Sequence, residues 1–196
     1  MALLAESLVE EWLNRNGFFT IRGIKHGVGE LDLLGIRREP DGSITGWHVE
    51  VQASFRPIGY IAKLTNDLVQ TTDKKRSRSS AVARSPKEVE LCARDWVSGK
   101  FRAPDKMRVR EKLWPGVTWS YHLVHAIVRE PQELAAFENE GVKCHPFHDV
   151  LSELLRRAQG AFWLGGRRSC RDRRLLQRAC KRRQRLNGFC EPESVD

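Results

Sequence analysis

The sequence predicts an α/β domain with a central mixed β-sheet flanked by helices, built on an α-β-β-β-α-β core. Three observations predict it. The chain opens on a helical stripe of apolar residues, and two alternating apolar–polar runs joined by a turn tetrad follow. Shorter apolar runs then recur between segments of helical spacing.

From Leu3 to Asn16, Leu4, Leu8, Val9, Trp12 and Leu13 fall on one helical stripe, and Asn16-Gly17 supplies the stop signal. Phe18 to Ile24 reads as a strand. Gly27-Val28-Gly29 leads into a second strand, Glu30 to Ile36. In Pro40-Asp41-Gly42-Ser43, proline presets φ and glycine tolerates positive φ, so the tetrad is a turn. It joins the second strand to a third, Ile44 to Ala53, as an antiparallel hairpin. Ile61, Leu64, Leu68 and Val69 keep helical spacing from about Tyr60, and that helix runs into Lys74-Lys75-Arg76-Ser77-Arg78. Ser85-Pro86-Lys87-Glu88 combines an N-cap serine, a proline at the first helical position and the glutamate of a capping box, which predicts a helix to Ser98. The prolines and charges of Gly99 to Gly116 read as a surface loop. A buried strand (Val117 to Val128), a helix (Pro131 to Glu140), a short strand (Val142 to Phe147) and a helix from Asp149 to about Gln159 complete the pattern, with no internal repeat.

At 196 residues and 40% hydrophobic content, the chain is long enough for one domain with a real core. Residues 1–160 are assigned to that domain and 161–196 to a basic tail or helix. The tail carries ten Arg/Lys against four Asp/Glu, so +6 of the formal +9 charge sits there. A basic balance favours polyanionic partners without naming a site. No run approaches the ~18 apolar residues of a membrane span. The first residues lack a basic n-region and a cleavage site. The expectation is therefore no membrane and a cytoplasmic location. The five cysteines are odd in number and widely spaced, with no zinc-type pair. Cys144-His145-Pro146-Phe147-His148 holds three possible ligands but lacks a second knuckle, and reads as ordinary strand and loop.

Strand side chains alternate between faces, so Glu30 and Asp32 share one face of the second strand, and Glu50 and Gln52 share one face of the third. Pairing across the Pro40–Ser43 turn sets Asp32 beside Glu50. Two carboxylates on a covered face repel unless a cation compensates them, and hard oxygen ligands suit Mg²⁺. His48 shares the face of Glu50, whereas His122 and His125, three apart, face opposite sides. Glu30 reads as solvent-facing, Gln70 as structural, and Trp96, Trp114 and Trp119 as core or loop anchors. An acid on the wet face of an amphipathic strand is also the ordinary surface pattern.

The order Glu6, Asp32, then the tripeptide Glu50-Val51-Gln52 resembles the PD-(D/E)XK nucleases, which include Holliday-junction resolvases and many restriction endonucleases. The text AESLVEEWLNRNGFFTIR through GELDLLGI to WHVEVQAS looks like the resolvase-like branch, and the resemblance covers Ala2 to about Gln70. It implies a restriction-endonuclease-like fold and a metal-dependent endodeoxyribonuclease. Mg²⁺ or Mn²⁺ would be held by Asp32, Glu50 and the Val51 carbonyl, with Glu6 as a further carboxylate. The family's lysine is Gln52 here, which orients water but brings no charge. Some restriction enzymes of the family resemble this sequence in that glutamine. Lys25 and Lys63 are the lysines then expected to reach phosphate. Further DNA contacts are expected from His26, Arg56 and the run Lys74, Lys75, Arg76 and Arg78. DNA is the implied partner and a homodimer the implied assembly. Gln52 keeps a second reading open, an inactive DNA-binding or protein-interaction module on a nuclease-like fold.

Overall fold

The computed structural model describes residues 2–26, 29–53, 59–71 and 83–157. Helix α1 (Ala2–Arg15) is followed by three strands, β1 (Phe19–His26), β2 (Gly29–Arg38) and β3 (Ile44–Gln52). Helices α2 (Asn66–Thr71) and α3 (Pro86–Val97) come next, then a π-helical turn (Ser98–Arg102) and helix α4 (Pro104–Leu113). Strand β4 (Trp119–His125), helix α5 (Pro131–Asn139) and strand β5 (Val142–Pro146) complete the set. Residues 147–152 are again helical and end the first of two compact units, 1–152; residues 153–157 begin the second.

The strands form one five-stranded mixed sheet in sequence order. The β1–β2 and β2–β3 pairs are antiparallel, whereas β3–β4 and β4–β5 are parallel. The β2–β3 connection is the turn the tetrad dictates. The Asp41 carboxylate accepts hydrogen bonds from the Ser43 N–H (2.9 Å) and hydroxyl (2.7 Å), and Gly42 takes φ 88°.

Helices cover both faces. On one, α1 buries Ala5, Val9, Trp12 and Leu13 toward Leu31, Leu33 and Val49 of the sheet. Full burial of Val9 and Leu13 contributes roughly 1.5–3 kcal/mol each. Trp47 stacks on His122 on this side, with ring centroids 3.7 Å apart. On the opposite face, Val89, Cys92, Ala93 and Val97 of α3 and Phe137 of α5 pack with Phe101 and Leu123. The capping box at Ser85 is present, with the Glu88 carboxylate accepting from the Ser85 N–H at 2.7 Å.

Besides a β4 shorter at both ends than the expected 117–128, four details differ from the sequence reading. Leu4 lies outside the α1 stripe, 57% exposed, because the buried face runs through Ala5, Val9, Trp12 and Leu13. Residues 60–65 are not helical. Tyr60, Ala62 and Leu64 alternate inward, and the buried Glu133 carboxylate accepts the N–H groups of Ile61 (2.7 Å) and Ala62 (2.8 Å). Those donors are spent on a side chain, and the helix starts only at Asn66. The supposed loop from Gly99 to Gly116 is mostly the π-turn and α4. The last helix starts at residue 147, two residues earlier than expected. Arg56, Lys74, Lys75, Arg76, Arg78 and the tail 161–196 lie outside the described residues, as does the side chain of His26.

Candidate active site

Pairing of β2 with β3 ends at Leu33–Val49, while β2 continues along β1 to Gly29 and β3 continues along β4 to Gln52. The sheet therefore forks, and Asp32 and Glu50 are the next residues on its two prongs. Asp32 Oδ2 accepts the Val51 N–H at 2.8 Å, a main-chain donor just beyond the last rung. Across from Asp32 on β1, Gly23 takes φ 66°, a left-handed backbone that favours a residue without a side chain.

Glu50 has no solvent exposure, yet three side chains gather on it. Lys100 Nζ donates to Oε2 at 2.6 Å and Lys106 Nζ to Oε1 at 3.0 Å. His48 Nε2 lies 3.3 Å from Oε1, an electrostatic approach without hydrogen-bond alignment. Arg110 Nη1 donates to His48 Nδ1 and to the Phe101 carbonyl, both at 2.9 Å. Nδ1 must then carry the lone pair, and the His48 proton sits on Nε2, facing Glu50. Burial opposes ionisation of Glu50, but His48, Lys100 and Lys106 overcome it and hold the carboxyl down at about 2. Burial pushes His48 down to about 4, against the pull of Glu50.

Asp32 is the opposite case. Burial, then repulsion from Glu50, pushes its carboxyl up to about 7. The Val51 hydrogen bond and Lys100 pull it down, and Glu6 adds to the rise. Glu6 on α1 thus acts on Asp32 through its charge.

A cleft of about 570 Å³ opens beside the fork, lined by Gln52, Lys63, Trp96 and Lys100 with Ile61 and Leu64. Of the expected site residues, Asp32, Glu50, Val51 and Gln52 lie at the fork, Glu6 reaches Asp32 only through its charge, and Lys63 lines the neighbouring cleft. Lys25 is exposed near the end of β1, paired across from Glu30. Among the described residues, neither Lys25 nor Lys63 is bonded to either carboxylate; Lys100 and Lys106 are. Trp96 packs on Phe137 and Phe101. His122 and His145 approach at 2.9 Å on the far face of the sheet.

Lys100, Lys106 and Arg110 were missed because they lie in the segment read as a loop. A signal was present. Pro104 stands at the first helical position with Asp105 in the first turn, and Lys106 and Arg110 are spaced to share one face of that helix.

Among the described residues no group of three or more His, Cys, Asp or Glu side chains is placed to hold a metal ion, so any divalent cation at the fork would rest on a pair of carboxylates and main-chain oxygen. The two acids share a face, and Val51 follows Glu50 on the same prong. Asp32 is short of positive charge, with Val51 N–H its hydrogen-bond partner among the described residues. Asp32 and Glu50 would be the ligands, with the Val51 carbonyl on offer. Glu50 already carries two ammonium groups, so a cation would meet Lys100 at Oε2.

The arrangement defines an α/β domain whose mixed sheet forks at a carboxylate pair. No protein-family model matches the chain, and no curated protein matches it. A solved structure entitled "Crystal Structure of Protein of Unknown Function AF1548" is similar to it, with 17% identity and a TM-score of 0.38, over 72% of this chain. The aligned part spans 56% of that structure's chain. Among the described residues, no helix is long and apolar enough to cross a membrane.

Proposed function

We propose that this chain is a divalent-metal-dependent nuclease, hydrolysing DNA phosphodiester bonds in the cytoplasm, with a PD-(D/E)XK-type site in which Lys100 takes the part of the lysine that Gln52 replaces. One observation carries the reading. Asp32 and Glu50 are the first residues beyond the last β2–β3 rung and repel each other electrostatically, with Lys100 hydrogen-bonded to Glu50 and lining an open cleft. Asp32 and Glu50 would hold Mg²⁺ or Mn²⁺, which when bound would polarise the phosphate and acidify a water. Lys100 brings the positive charge toward which negative charge on the phosphate develops, and the Gln52 amide orients water. Lys106 holds Glu50 from behind, His48, itself fixed by Arg110, faces the same oxygen, and Glu6 adds negative charge on the Asp32 side. Lys63, which lines the same cleft as Lys100, would contact a flanking phosphate.

The test is incubation with supercoiled, linear, branched and single-stranded DNA in Mg²⁺ or Mn²⁺, against Asp32→Asn and Lys100→Gln. Cleavage by the wild type, abolished by Asp32→Asn and reduced about 10²–10³-fold by Lys100→Gln, is expected. Cleavage that survives Asp32→Asn would refute the assignment.

A second reading has its own observation. Glu50 is neutralised by Lys100 and Lys106 without any metal, as a binding module that has lost turnover would require. DNA binding without cleavage under every metal condition would favour it.

A further inference from the structure

The two lysines on Glu50 are not equivalent. The Lys106 side chain is 6% exposed and comes from the first turns of a regular helix. The Lys100 side chain is 33% exposed, belongs to a five-residue π-turn, and lines the cleft beside the fork. π-Turns sit at functional sites more often than chance, because their looser backbone ladder accommodates a shift. Gly99 precedes Lys100 and also lines the cleft, and a Cβ there would meet nothing within 4 Å, so the space beside Lys100 is open.

The two carboxylate oxygens are also divided. Oε1 is held by Lys106 and faced by His48, whereas Oε2 has Lys100. A divalent ion bound between Asp32 and Glu50 must come to Oε2 or share Oε1 with a buried ammonium. Coulomb repulsion between an ammonium and a divalent ion a few ångströms apart is strong at the effective dielectric of a partly buried site. Both cations cannot keep the same oxygen. Lys106 has no solvent to retreat into, and Lys100 has the cleft.

We propose that Lys100 is an exchangeable cation: it neutralises Glu50 while no metal is bound, and a divalent ion displaces it into the cleft, where it meets the substrate phosphate. This rests on the nuclease reading above and adds an order to it, metal first and lysine delivered by it. Lys106 stays on Oε1 throughout as the fixed counter-charge of Glu50. No covalent step is involved. One ion pair is exchanged for another, and the displaced ammonium finds its new partner in the phosphate rather than in water.

The consequence is unusual for a catalytic lysine, because removing it should improve metal binding while harming turnover. Calorimetric titration of Mn²⁺ into the full chain tests this without requiring activity. Lys100→Gln is expected to bind Mn²⁺ about tenfold more tightly than wild type, since one competing charge is gone. Lys100→Arg, which keeps the charge, should return the affinity to within about threefold of wild type. In parallel, acylation of Lys100 by an amine-reactive reagent, read by mass spectrometry, should speed up on adding Ca²⁺, while Lys106 stays protected. Metal affinity unchanged or weaker in Lys100→Gln, with the wild type binding metal, would overturn the exchange while leaving the metal site standing. Absence of Mn²⁺ binding in wild type and Lys100→Gln alike would overturn the exchange together with the metal site.

Discussion

On one prong of the fork Glu50 is wholly buried, and its carboxyl is held down at about 2; on the other Asp32 is half-buried, and its carboxyl is pushed up to about 7. The more deeply buried acid is the more strongly ionised. The difference lies in what faces each group. Burial acts against the charged form in both, but Glu50 meets Lys100, Lys106 and the N–H side of His48. Asp32 has one backbone N–H and the charge of Lys100, to which it is not hydrogen-bonded, set against two other acids. Matched charge, and not depth, sets the protonation state here. The Glu50 prong is complete as it stands, and the Asp32 prong is the half that a cation would complete.

The largest expected effect comes from breaking the completed half. Lys106→Met keeps the stem of the side chain and removes its ammonium, leaving a buried carboxylate short of a partner. We expect a loss of about 3 kcal/mol of stability, read by urea denaturation, because an undercompensated buried charge is costly. Adding Glu50→Gln to Lys106→Met should recover much of that loss. If the double variant is no more stable than the single one, Glu50 was not the source of the cost.

A smaller effect separates the two acids by pH. The Asp32 value is raised from 3.8 to about 7, so its contribution favours the fold at acid pH and is lost as pH rises through about 7. Glu50 and His48 are depressed, from 4.5 to about 2 and from 6.5 to about 4, so their contributions are present above the unfolded values and are lost on acidification. Asp32→Asn removes the only one of these three that opposes folding at high pH. It should melt above wild type at about pH 8, with the advantage shrinking steadily toward about pH 5. An advantage of equal size at both ends of that range would mean that Asp32 does not titrate as described.

The smallest effect is a control far from the fork. Ser85→Ala removes the α3 cap and should cost about 1 kcal/mol. That loss should add to the effect of Asp32→Asn within about 0.5 kcal/mol, as for independent sites. A larger departure would couple the α3 start to the carboxylates.

The hairpin and the Asp32–Glu50 pairing were legible because two simple rules converge there. A period of two fixes which side chains share a face, and Pro40–Ser43 fixes where the chain reverses. The register of Leu33 on Val49 then puts the acids opposite each other. The cations were not legible, for a physical reason. Helix detection seeks an apolar stripe, and the face of α4 turned inward carries Lys106 and Arg110, 5% and 3% exposed. Their burial is compensated by Glu50, His48 and the Phe101 carbonyl, which lie far away in sequence. The segment 60–65 failed in the same way. Its apolar spacing fits a helix, but the distant Glu133 takes its N–H groups. Where a distant polar partner decides the local structure, periodicity carries no sign of it.

The central claim is that the incomplete half of the fork is completed by a divalent ion. Isothermal titration of Mn²⁺ into wild type and Asp32→Asn at about pH 8, where Asp32 is mainly ionised, tests it most directly. The account predicts one saturable site in the wild type and its loss in a fully folded Asp32→Asn protein. Equal binding by the two proteins would contradict it.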